Sequence, residues 1–259
     1  MFDSGVGGLS VAKEIRALLP TTSIHYLMDS ACFPYGQQDD DFLLRRIVEL
    51  CRQAVTELGP ELLVVACNTA STLALEQLRA VLPVPVIGVV PAIKTAAEQT
   101  STGHIGLLAT EATVKRSYIK KLIEEFAPNH TTTLKGSNLL VELAEKWLKN
   151  ELDSDVSALL RAHLDSWLRQ HPQMDAVVLG CTHFPLLKAE LQQLWPDLRW
   201  IDSGDAIARR VKYLLSSPEG SGGLDIYSTA AVPKIMESSD FWSASDPVRC
   251  HPRPWGSKA

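Results

Sequence analysis

Short runs of consecutive apolar residues alternate along this chain with longer stretches whose apolar positions recur every three or four residues. The short runs, 23–29, 62–67, 86–90, 104–110, 176–181 and 199–202, read as strands. They are apolar throughout rather than at alternate positions, the pattern of strands covered on both faces. The longer stretches, 10–19, 42–58, 71–82, 91–99, 113–126, 139–150, 156–170, 186–194 and 206–215, read as helices. In 42–58, for example, Leu44, Ile47, Val48, Cys51, Val55 and Leu58 share one helical face, which makes Cys51 a core residue. Strand and helix in alternation predict an α/β protein with mostly parallel sheets. From residue 216 the chain is rich in Pro, Gly and Ser and reads as irregular, with a strand at 226–229 and a loosely held tail after 243.

Composition narrows the function classes. The 259 residues carry a net charge of −5 with no dense Lys/Arg block, so there is no electrostatic footprint for direct nucleic-acid binding. No apolar run reaches the length of a membrane span, and the first residues lack a signal-peptide pattern, so a cytoplasmic protein away from membranes is expected. The five cysteines are odd in number, widely spaced and without a CxxC, which argues against a disulfide framework and a zinc knuckle. The acidic run Asp39-Asp40-Asp41 suits the N-terminus of the helix that follows.

Two cysteines stand out from this background. Cys67 ends Leu62-Leu63-Val64-Val65-Ala66 and precedes Asn68-Thr69; Cys181 ends Ala176-Val177-Val178-Leu179-Gly180 and precedes Thr182-His183. Either one alone would read as a small buried hydrophobe. A thiol placed twice at a strand end before a helix start suggests a paired use of sulfur, one thiol removing a proton from one face of a substrate and the other returning one. A helix N-terminus favours the thiolate such chemistry needs, and His183 is close enough in sequence to tune Cys181 or shuttle its proton.

Other polar residues fall at the same predicted strand ends, where open α/β sheets bind ligands. Asp3-Ser4-Gly5-Val6-Gly7-Gly8 is a glycine-rich strand-to-helix turn that could meet a carboxylate, or simply a tight turn capped by Asp3. It is neither a Walker loop nor GxGxxG. Pro34-Tyr35-Gly36 offers amide groups and a phenol; Thr110 and Thr113 flank the end of 104–110. Glu142 and Glu145 share a helical face. The remaining histidines have no partners at ligand spacing.

Together these residues resemble the glutamate racemases of the aspartate/glutamate racemase superfamily. The resemblance rests on Asp3-Ser4-Gly5-Val6-Gly7-Gly8-Leu9, Pro34-Tyr35-Gly36, Cys67-Asn68-Thr69-Ala70, Thr110 with Thr113, Gly180-Cys181-Thr182-His183-Phe184-Pro185-Leu186 and Asp202-Ser203-Gly204, in family order over residues 2–215. It implies two similar parallel-sheet (flavodoxin-like) lobes with the active site in the cleft between them, 1–90 plus 205–259 and 91–204. The implied reaction is interconversion of L- and D-glutamate for peptidoglycan, with neither pyridoxal phosphate nor metal. It makes Cys67 the base for the D-face hydrogen, assisted by Asp3, and Cys181 the base for the L-face hydrogen, assisted by His183. Asp3, Ser4, Pro34, Tyr35, Gly36, Asn68, Thr69, Thr110, Thr113, Thr182 and His183 become substrate contacts, and Glu145 rather than Glu142 the family's cleft glutamate.

The same resemblance, strongest to longer proteobacterial members around Lys135–Glu145, implies activation by a UDP-linked peptidoglycan precursor. It also allows a contact with DNA gyrase and a homodimer. Members of the family carry an apolar strand before Phe-Asp-Ser-Gly, whereas only Met1 and Phe2 precede Asp3 here. The expectation is a start site placed too late, a first strand reduced to a stub, a weakly anchored Asp3, and a more stable and active form when extended upstream. Competing readings are an aspartate or hydantoin racemase, a maleate isomerase or decarboxylase, a thiol hydrolase using Cys181 and His183, and a non-catalytic binding protein.

Overall fold

The computed structural model describes residues 1–148, 151–152, 155–215, 220, 222–230 and 248–252. Contacts divide the chain into two compact units, Met1–Val89 with Gly204–Ala259, and Val90–Ser203. The first begins with β1 (Phe2–Asp3), α1 (Leu9–Leu18), β2 (Ile24–Met28), α2 (Asp40–Leu58), β3 (Leu63–Val65), α3 (Asn68–Val81) and β4 (Val86–Gly88). The second contains α4 (Ile93–Gln99), β5 (His104–Ala109), α5 (Glu111–Lys115), α6 (Ser117–Phe126), β6 (Thr131–Gly136), α7 (Leu139–Leu148), α8 (Val156–Gln170), β7 (Ala176–Leu179), α9 (Lys188–Leu194) and β8 (Arg199–Ile201). The chain then returns to the first unit with α10 (Gly204–Leu214), β9 (Leu224–Ser228) and β10 (Val248–Pro252).

Each unit is built on one sheet. Among the described residues the first has six strands in the order β10-β9-β2-β1-β3-β4, the second four in the order β6-β5-β7-β8, and every pairing is parallel. Local chemistry starts and stops the helices. Asp39 accepts a hydrogen bond from Phe42 N at 2.9 Å to cap α2, with Asp40 and Asp41 in its first turn. Gly59, at φ 57°, ends that helix in the left-handed conformation. The core of the first unit joins Leu43, Ile47, Leu50 and Cys51 of α2 to Phe2, Val65 and Leu78. That of the second joins Ile93, Ile105, Leu107, Ile119 and Val178.

The structure corrects several expectations. The helix expected at 113–126 is two helices, α5 and α6, because Arg116 is extended (φ −73°, ψ 138°) and interrupts the ladder. The segment 186–194 begins as a 3₁₀ turn over Phe184–Leu187 before α9. Strand β6 was not expected: it is an edge strand of mostly exposed or half-buried residues, so it carries no apolar run. Strand β10 lies in the tail expected to be loosely held, yet it pairs along its length with β9, and Arg249 makes a bidentate contact to Asp225 at 2.8 Å. Asp3 is not weakly anchored. The short β1 lies between β2 and β3, Asp29 N donates to Asp3 O at 2.9 Å, and the Asp3 side chain is fully buried. No helix among the described residues is long and apolar enough to cross a membrane.

Leu107 sits on the central strand β5 and is fully buried. Leu107→Ala should therefore lower stability by about 2–5 kcal/mol, read as the shift in a urea unfolding midpoint multiplied by the slope.

Candidate active site

In a parallel sheet the strand ends gather the polar residues, and both thiols are placed by this rule. In the first unit, Cys67 follows β3 and occupies the N-cap of α3, held there by Ala66 N donating to Phe2 O at 2.8 Å and Ser71 Oγ donating to Val65 O at 2.9 Å. Its sulfur is buried, 3.7 Å from Ser4 Oγ. Asp3 Oδ1 accepts from Gly5 N at 2.9 Å and from Ser4 Oγ at 3.4 Å, so carboxylate, hydroxyl and thiol form one chain. The turn is pinned from below by Tyr26, whose hydroxyl donates to Gly5 O at 2.8 Å. Gly8 is required by that close approach, because a Cβ would lie 2.7 Å from Tyr26 Oη and 3.0 Å from Asp3 Oδ2.

Beside the thiol, Thr69 is buried, and Asn68 is buried with its Oδ1 lacking a hydrogen-bond partner among the described residues. A buried acceptor without a donor is costly, and this one suits the N–H of a ligand. The segment 34–36 behaves differently from the sequence reading. Pro34 and Gly36 are half-buried, but the Tyr35 phenol turns inward and donates to Asp29 Oδ2 at 2.7 Å, so it is not offered to a ligand. Burial, and then the charge and hydrogen bond of Asp29, hold that phenol well above the usual tyrosine pKa.

In the second unit Cys181 lies just beyond β7. Gly180 precedes it because a Cβ there would come within 2.8 Å of Leu107 Cδ1. The buried Cys181 Sγ is 3.8 Å from His183 Nδ1, and His183 Nε2 is 2.9 Å from Glu145 Oε1 on α7. Glu145 is buried, whereas Glu142 is exposed. Burial by itself lowers the pKa of His183, but the hydrogen bonds to Cys181 and Glu145 and their negative charges outweigh it and raise the value to about 10. The ring thus lies between a thiol and a carboxylate, placed to carry a proton to or from the sulfur. Thr182 is buried next to it. Thr110 caps α5: its hydroxyl accepts from Thr113 N at 3.2 Å and donates to Thr113 Oγ1 at 2.8 Å. These two threonines are thus engaged with each other.

The sequence reading missed Tyr26 and the pair Asp29 and Arg46. Asp29 carried a signal, since it follows β2 as Asp3 ends β1. No group of three or more His, Cys, Asp or Glu side chains among the described residues is arranged to hold a metal ion.

Comparison with known proteins places this geometry. A profile of the family described as Asp/Glu/Hydantoin racemase matches residues 9–211. A glutamate racemase of Escherichia fergusonii is 54% identical over 217 residues, covering 83% of this chain and 75% of that protein. Among solved structures, Escherichia coli glutamate racemase in complex with L-glutamate and the activator UDP-MurNAc-Ala is 47% identical. It superposes with a TM-score of 0.83 over 91% of this chain and 90% of the other. The RacE1 isoform of Bacillus anthracis glutamate racemase is 28% identical, with a TM-score of 0.82 over 98% and 96%.

The imidazole of His183 should titrate near pH 10 rather than near its ordinary value of 6.5, and Glu145→Gln should lower that midpoint. The stabilisation from charging His183 is full below pH 6.5 and disappears as pH rises through about 10. NMR titration of the ring protons reads this directly; a wild-type midpoint near 6.5 would contradict it.

Proposed function

Because the chain belongs to the Asp/Glu/Hydantoin racemase family, we propose that it is a glutamate racemase that interconverts L- and D-glutamate with two thiols and no cofactor. The observation that carries this reading is the pair of buried thiols, each placed just past a parallel strand and each with its own polar partners, Ser4 and Asp3 for Cys67, His183 and Glu145 for Cys181. The similarity to glutamate racemases over most of the chain selects the substrate.

The chemistry follows from the weak acidity of an amino-acid α-hydrogen. One sulfur, as thiolate, takes the α-proton and becomes a thiol; the electron pair left on carbon is delocalised into the adjacent carboxyl group. The other sulfur, initially a thiol, gives its proton to the opposite face and becomes the thiolate. One S–H bond forms and one breaks, so the two directions differ only in which sulfur starts charged. In this assignment Cys67 serves the D-face hydrogen and Cys181 the L-face hydrogen.

Without an electron sink, hydrogen-bond donors and close positioning must lower the barrier. Asp3 orders the turn that brings Ser4 to the Cys67 sulfur. His183, backed by Glu145, supplies and accepts the proton of Cys181. Asn68 Oδ1 receives the substrate ammonium group, and Thr69, Thr182, Ser4 and the backbone of 34–36 hold its carboxylates. The similar Escherichia coli enzyme was solved with UDP-MurNAc-Ala as activator, and the reading extends to activation of this chain by the same class of UDP-linked precursor.

Purified protein incubated with L- or D-glutamate in deuterated water, without added cofactor, should bring both to the same racemic end point with deuterium at the α-carbon. UDP-MurNAc-Ala should raise the rate. Faster racemisation of aspartate or of a hydantoin would move the assignment to another substrate of the family, and loss of no α-proton from any of them would reject a racemase.

A further inference from the structure

The geometry points to Asp29 and Arg46 as positioning residues that set the conformation of Pro34-Tyr35-Gly36 through one buried carboxylate. Asp29 directly follows β2 and is fully buried. Its carboxylate accepts four hydrogen bonds from three other parts of the unit. Arg46 of α2 donates from Nε to Oδ2 and from its terminal nitrogen to Oδ1, both at 2.6 Å. The Tyr35 phenol donates to Oδ2 at 2.7 Å, and Thr229, just past β9, donates from Oγ1 to Oδ1 at 2.7 Å. The bidentate fork fixes the plane of the carboxylate, and the plane fixes where the phenol oxygen must lie.

Tyr35 transmits that constraint. Its ring is buried, 6.4 Å from the ring of Phe2, the residue before Asp3. The backbone around it is a single 3₁₀ turn, closed by Gln37 N donating to Pro34 O and Gln38 N donating to Tyr35 O, each at 3.2 Å. Two such bonds hold a turn weakly, so the position of Pro34 and Gly36 depends on the anchored ring between them. A buried ion pair is poor evidence for stability, since an apolar replacement of similar size is often as stable. A charged fork aimed at one carboxylate at the ligand-binding edge is instead suited to fixing geometry.

The functional part of this inference rests on the proposed role of residues 34–36 in holding glutamate. The variants Arg46→Met, Arg46→Lys and Tyr35→Phe test it, each compared with wild type by thermal melting, steady-state racemisation and amide hydrogen exchange. Positioning predicts that KM for both enantiomers rises about tenfold in Arg46→Met and Tyr35→Phe while kcat stays within about twofold. Arg46→Lys, which keeps the charge and loses the fork, should be intermediate. Exchange at the amides of Gln37 and Gln38, read without substrate, should quicken about tenfold in Tyr35→Phe. If Arg46→Met does not fold, the other two variants decide. Folded variants with lowered melting temperature, unchanged KM and unchanged Gln37 and Gln38 exchange overturn the inference. A wild type inactive on glutamate rejects the functional reading instead, and the exchange rates then decide the positioning role alone.

Discussion

A parallel strand covered on both faces has no room for chemistry along its length; what remains is the point where it stops. Among the described residues both sheets are parallel throughout; β3 and β7 are wholly apolar and buried, and β5 is so after His104. The residues that can do chemistry are therefore pushed past the strand ends: Asp29 after β2, Cys67 after β3, Thr110 after β5, Cys181 after β7. Asp3 closes β1 itself. The same rule explains the glycines beside them. Gly8 and Gly180 lie where the chain must run close to a neighbouring side chain, Tyr26 in one case and Leu107 in the other.

Two thiols placed by one rule are nevertheless given different surroundings. Cys67 caps a helix and has a hydroxyl at 3.7 Å that is itself tied to Asp3. Cys181 has an imidazole at 3.8 Å backed by a buried carboxylate at 2.9 Å. The two enantiomers present their α-hydrogens on opposite faces, so in the proposed reaction each sulfur, with its own surroundings, serves one of them. Cys181 and the buried Glu145 together hold the pKa of His183 above the usual histidine value, which fits a residue that passes a proton to and from a sulfur.

The strands and helices that carry both thiols were legible in the sequence because buried parallel strands are continuous apolar runs and their helices are amphipathic. What was not legible has physical reasons. Strand β6 is an edge strand rich in threonine, so burial leaves no mark on it. The break at Arg116 is a backbone choice made at one residue, without Pro or Gly to announce it. Strand β10 depends on Arg249 meeting Asp225, a pairing between residues far apart in the chain. Among the site residues, sequence showed which polar groups follow strands but not where they turn. The phenol of Tyr35 looked available and is bound inward, Thr110 and Thr113 bond to each other, and the Asp29–Arg46 fork joins two residues that no local pattern connects.

The central claim is that two different sulfurs act on two different faces. It is tested most directly by following α-proton exchange of L- and D-glutamate separately in deuterated water for Cys67→Ser and Cys181→Ser. The account predicts that each variant loses racemisation, and that any exchange left in Cys67→Ser is confined to L-glutamate and in Cys181→Ser to D-glutamate. Full racemisation by either variant, or residual exchange with the opposite enantiomer, would contradict it.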